Sequence, residues 1–143
     1  MVVEETGEPF FRLPAEGGLA LEFEASFPYG PDDPDIIGLL IRVSGAFVQV
    51  EHPVVLSRHD GPSGFLHLLY EDFRGWTGAR TWSSLENELQ LSAVHEGHVV
   101  RMQWLMTHLS YARPAWSFCL NTEHAPGEDM RRLAADFHDL LAG

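Results

Sequence analysis

Apolar and polar residues along the chain fall into several segments of period two, two segments with helical spacing, and short stretches with neither. From Leu19 to Phe27 the apolar residues Leu19, Leu21, Phe23, Ala25 and Phe27 alternate with Glu22, Glu24 and Ser26, which predicts a strand with one wet face. Residues 36–43 are apolar on both faces apart from Arg42, the pattern of a strand inside a sheet. Between them, Pro28 to Asp35 carries three prolines and three aspartates, cannot continue either strand, and is expected as a surface loop. After a turn at Ser44-Gly45, Ala46 to Glu51 and Val54 to Leu56 predict a further strand interrupted at Pro53, which suits a bulge or an edge. Asp60-Gly61-Pro62-Ser63 then offers Asp60 or Ser63 as a helix N-cap. Phe65, Leu66, Leu68, Leu69 and Phe73 make the buried stripe of a helix ending near Gly75.

The second half is joined to the first through residues 69–94, where helical spacing gives way to alternation. Gly75 and Gly78 bracket the switch, and Trp76 and Trp82 stand on either side of it. Strands are predicted at about 80–85, 88–95, 98–108 and 115–122. His95-Glu96-Gly97-His98 is the tight turn between two of them, and Tyr111 to Pro114 the next. A final helix starts near Pro126, with Glu128 and Asp129 in its first turn, and keeps Met130, Leu133, Ala134, Phe137, Leu140 and Leu141 on one face. At the other end, residues 1–17 read as a loose start able to add one short edge strand, with residues 1–9 expected to be flexible.

Both helices carry Leu-x-x-Asp-Phe, at Leu69–Phe73 and Leu133–Phe137, each after about three strands, which suggests a βββα duplication. Strand runs separated by only two helices do not make parallel βαβ crossovers. The expected fold is therefore α+β, a mainly antiparallel sheet of about six to eight strands with two helices. At 143 residues the chain fits a single domain, 1–143, with its own core.

Charge changes the picture more than length does. The formal net charge is −12 and all nine basic residues are arginine, so the field repels phosphate backbones and anionic lipid and attracts basic partners. Nucleic acid and membranes are not expected partners; a basic protein is. No basic n-region or apolar h-region opens the chain, and no apolar run approaches a membrane span. With Cys119 alone, no intrachain disulfide can form, and a cytoplasmic location is expected.

Candidate chemistry is thin. His95, Glu96 and His98 form the most metal-like cluster, but in a strand turn rather than on one helical face they lack the i, i+4 pairing of a helical zinc motif. The other histidines, His52 and His124 among them, are expected at the surface, and Cys119 is expected as a buried, inert thiol in mid-strand. Carboxylate pairs such as Glu86/Glu88 and Glu128/Asp129 are expected on solvated faces, where nothing raises their pKa. Trp76, Trp82, Trp104 and Trp116 are the candidate binding or packing anchors. No catalytic residue and no cofactor is assigned.

The run Asp72-Phe73-Arg74-Gly75-Trp76-x-Gly78-x-Arg80-x-Trp82-x-Ser84, followed by Glu88-Leu89-x-Leu91-x-Ala93, Gly97-His98-Val99 and a closing Leu133-Ala134 helix, resembles a small uncharacterised domain family of high-GC bacteria. In layout that family is distantly similar to the immunity proteins of WapI-type toxins. The resemblance implies no catalytic residue. With the acidic charge, it leads to the expectation of a non-enzymatic acidic binding protein, of immunity type, that occludes a basic toxin or another basic protein. A ligand-binding protein or enzyme with a pocket between sheet and helices is one alternative. An accessory or scaffold domain is the other.

Overall fold

The computed structural model describes residues 3–5, 8–26 and 33–142, and among them strands β1 (Val3–Glu5), β2 (Glu8–Pro14), β3 (Ala20–Ser26), β4 (Ile36–Ser44) and β5 (Gln49–Ser57) form one sheet in that order. Helix α1 (Pro62–Glu71) follows. Strands β6 (Ala79–Ser83), β7 (Leu89–Glu96), β8 (Val99–Ser110) and β9 (Arg113–His124) form a second sheet, and α2 (Glu128–Ala142) closes the chain. Every strand pairing is antiparallel, so the α+β class and antiparallel pairing read from the sequence are what the structure shows. The strands divide between two sheets, and Glu88, from the second half of the chain, meets the open edge of β5. Its Oε1 accepts from the Val55 backbone N–H at 3.0 Å, and its carbonyl meets His52 Nε2 at 2.9 Å. Pro53 lies on that edge strand, as its missing N–H requires.

Each half is a four-strand meander followed by a helix, β2–β5 with α1 and β6–β9 with α2, one strand longer per unit than the repeat expected. The two Leu-x-x-Asp-Phe copies do not occupy equivalent places. Phe137 is buried in the middle of α2, whereas Phe73 lies beyond the end of α1 and is half exposed. Helix α1 stops at Glu71, where the Asp72 N–H still reaches the Leu68 carbonyl at 3.2 Å. Its N-cap is Gly61 rather than Asp60 or Ser63, because Asp60 Oδ1 is taken by the Trp82 indole N–H at 3.3 Å.

Both helices pack on each other and on one continuous core. Its centre is aromatic: Phe137 stands edge-on to Phe11 at 4.8 Å and to Phe23 at 4.9 Å, with Trp104 5.3 Å from Phe23. Such edge-to-face contacts add to the burial itself. All six apolar residues predicted on one face of α2 are buried; of the five predicted for α1, only Leu66 and Leu69 are. The loop expected at Pro28 to Asp35 falls largely outside the described residues, as does part of the flexible start expected over residues 1–9.

The β8–β9 hairpin is longer than its pattern suggested, and its outer part leaves the core. Arg113 to Ser117 are all exposed, and a register shift follows His108. Its two-residue turn, Tyr111-Ala112, has φ of 52° and 64°. That is the geometry of a type I′ turn, built here from residues with Cβ atoms. Cys119 is exposed rather than buried, because its side chain projects from the open side of this ribbon.

Candidate functional site

The four tryptophans separate into different roles. Trp104 is fully buried, and Trp82 is buried against α1's entry, so both are packing groups. Trp76 is half-buried: its indole N–H donates to the Ala93 carbonyl at 3.2 Å, Arg80 lies over its ring at 5.0 Å, and His95 meets it edge-on at 5.2 Å. It fastens the α1–β6 connection onto β7. Trp116 is 42% exposed, stacked on His108 at 5.4 Å and edge-on to His52 at 5.7 Å.

His95, Glu96 and His98 are not brought together. His95 Nε2 is 3.0 Å from the Phe73 carbonyl, Glu96 pairs with Arg101 at 2.8 Å, and His98 is exposed in the two-residue turn after β7. Among the described residues no three His, Cys, Asp or Glu side chains are grouped as a metal ion would require.

What the fold does build is a polar groove. Two adjoining depressions of about 410 and 280 Å³ share Pro14 and Glu123, bounded by the β2–β3 turn, the end of β9 and the start of α2. Four carboxylates line them, Glu16, Glu123, Asp129 and Asp136, against three guanidinium groups, Arg12, Arg101 and Arg132. Each arginine already faces a carboxylate of the chain. Arg101 lies between Glu96 at 2.8 Å and Glu123 at 3.0 Å, Arg12 pairs with Glu22 at 2.8 Å, and Arg132 is 3.9 Å from Glu128 and Asp129. Glu16 ties the turn to β9 by accepting from the Asn121 backbone N–H at 2.9 Å, and Asp129 Oδ2 accepts from the Ala125 N–H at 2.9 Å.

His124 lines this groove and is buried, as is His52, so neither is the surface group the sequence suggested. A buried relay leads to His124 from the core. Trp104 Nε1–H donates to Thr122 Oγ1 at 2.8 Å, and Thr122 Oγ1 is 2.7 Å from His124 Nε2. An indole can only donate, so the threonine oxygen accepts from it and its own O–H is left to donate to His124 Nε2. Burial pushes His124 below its ordinary pKa, with Asp129 opposing. Neutral His124, with its proton on Nδ1, is the form that suits the relay. Spacing among histidines could not reveal this site; alternation could have, since Leu120, Thr122 and His124 share a face of β9. Glu88, expected in solvent, is half-buried, since its Oε1 and its carbonyl meet the Val55 N–H and His52 on β5.

A family model described as "Family of unknown function (DUF6228)" matches residues 14–143, and the chain belongs to that family. No curated protein and no solved structure matches the chain.

Proposed function

We propose that this DUF6228 member is a non-enzymatic acidic binding protein, of immunity type, whose groove beside His124 receives basic side chains of a protein partner. The observation that carries this reading is the state of the groove's own cations. Four carboxylates, Glu16, Glu123, Asp129 and Asp136, line it against three arginines, and each arginine is also shared with a carboxylate outside it, Glu22, Glu96 or Glu128, so the groove keeps a net negative charge toward an incoming guanidinium or ammonium. The net charge of −12 would speed encounter with a basic surface. The distant resemblance in layout to WapI-type immunity proteins argues the same way. A single free cysteine fits a reducing cytoplasm. A small-ligand site is the second reading, favoured by neutral His124 beside the same groove.

The test is calorimetric titration with an arginine-rich peptide at low and high salt. Binding is expected at low salt and should weaken as salt screens the pair. Glu123→Lys should weaken it several-fold more than Glu86→Lys, which makes the same charge change in the exposed β6–β7 turn. No heat at the lowest salt would refute the reading. Equal losses from the two variants would remove the groove from it.

A further inference from the structure

The longest sheet edge is at β9, twelve residues on the open side of the second sheet. Open edges are usually blunted by charge, proline or a covering element. The other sheet's β5 edge is covered in this way by Glu88. On β9 the Asn121 N–H points away from β8, since it bonds Glu16 Oε1, and alternation directs the Ser117 and Cys119 N–H groups the same way. Neither of those two has a partner among the described residues.

Composition sets this hairpin apart. Between Arg101 and Glu123 the only charged residue is Arg113, so the rest of the chain carries −13 while this segment carries +1 and no carboxylate. A basic partner would find nothing there to neutralise. Another copy of the chain could touch it over Ser117 and Cys119 without opposing carboxylates. Depletion of charge with aromatic enrichment is what interface centres show. Trp116, 42% exposed, and Tyr111, 99% exposed, supply the aromatic groups.

We propose that two copies of this chain pair through β9, antiparallel about a two-fold axis near Phe118, joining their second sheets edge to edge. In that register the outward groups of Ser117 face those of Cys119 in the other copy, and the Arg113 end of each strand lies alongside the Glu123 end of its mate. A parallel arrangement would set like ends together. The two-fold makes the contact self-complementary and closed, so it stops at two. This pairing needs no basic partner, although it shares Asn121 and Glu123 with the rim of the groove, so its failure and that of the groove reading show in different experiments.

The experiment is sedimentation velocity of the full chain under reducing conditions, over a wide concentration range. The expected mass is twice the chain's 16.0 kDa. Ser117→Pro removes only an outward N–H and should give the single-chain mass with an unchanged far-ultraviolet spectrum; Ser117→Asp, which sets carboxylates near each other, should do the same. Ser117→Cys should yield a disulfide-linked pair with Cys119 on mild oxidation. A single-chain mass for the unaltered protein at every concentration overturns the proposal. A doubled mass that survives both Ser117→Pro and Ser117→Asp overturns it equally.

Discussion

Thr122 joins two buried polar groups that have no other partner among the described residues, so replacing it by valine tests the reasoning about the core at one atom. Valine keeps the β-branched shape and nearly the volume, and the loss is confined to the hydroxyl. The Trp104 indole N–H, whose bond to Thr122 is 2.8 Å long, then has no acceptor, and His124 Nε2 loses its 2.7 Å contact. Trp104 is fully buried and His124 nearly so, which denies both groups a replacement from bulk water. An orphaned buried donor or acceptor costs about 1–3 kcal/mol, so the two together should remove roughly 2–4 kcal/mol. Against a typical total of about 5–15 kcal/mol that is a large share.

Urea denaturation measures it. With a slope of about 1–3 kcal/mol/M the midpoint should fall by at least about 0.7 M while the slope itself stays constant. Thr122→Ser restores the oxygen at the expense of one methyl and should recover most of the loss. In a Trp104→Phe background, which has no indole donor to orphan, Thr122→Val should cost about 1 kcal/mol less than in the parent. A loss below about 0.5 kcal/mol, the size of an ordinary surface change, would refute the claim that these groups lack alternatives. Equal losses from Thr122→Ser and Thr122→Val would show that packing, not the hydroxyl, is responsible.

Two further outcomes follow from the same structure. Because burial depresses His124 below its ordinary value of 6.5, the unfolded chain takes up that proton first; stability is full above about pH 6.5 and declines as pH falls below it towards the folded pKa. His124→Gln, which keeps an acceptor for Thr122, should flatten this decline in urea midpoints measured across the range, and an unchanged slope would show that other groups cause it. At the hairpin tip, Ala112 has φ of 64°, a conformation that costs a Cβ-bearing residue about 1–2 kcal/mol. After allowing for glycine's greater freedom when unfolded, Ala112→Gly should stabilise by about 0.5–1 kcal/mol. Its melting temperature should rise by about 2–4 °C, and a lower melting temperature would contradict the strain argument.

The elements were legible where one signal decided them. Strict alternation located β3, β7 and β8, and unbroken 3.6 spacing located α2 with all six of its buried residues. Errors came where local signals competed with tertiary partners. Asp60 looks like a helix cap in isolation, but the Trp82 indole, 22 residues away, claims its oxygen. Phe73 continues the stripe of α1 on paper, yet the helix ends two residues earlier and leaves it half exposed. Cys119 sits in the apolar run between Phe118 and Leu120, but alternation puts it on the face opposite Leu120, Thr122 and His124 and leaves it exposed. The groove was not legible because its parts, Pro14, Glu123 and Asp129, come from three separate segments with no common spacing.

Net charge, read from composition, gives no hint of how unevenly the fold spends it. On the outer face of the first sheet, Arg42 is ringed by Glu24 at 2.7 Å, Glu22 at 3.1 Å and Glu51 at 3.4 Å, with Arg12 holding the far side of Glu22. Exposed pairs of this kind are each worth at most about 1 kcal/mol, so their effect is less to stabilise than to leave a carboxylate surplus on that side. The outer face of the second sheet carries the uncharged Ser92, Gln103, Leu105, Thr107, Ser117 and Asn121, with Glu96, Arg101 and Glu123 gathered at one end of it. Like chains are therefore repelled least along the Ser117–Cys119 stretch, away from the carboxylates of the first sheet and of the groove. If two copies join at β9, Arg113 would approach Glu123, the residue the groove and the edge share. Engagement of a basic partner at Glu123 should then loosen the pairing, a coupling that sedimentation with and without the arginine-rich peptide would read directly as a fall in the doubled mass.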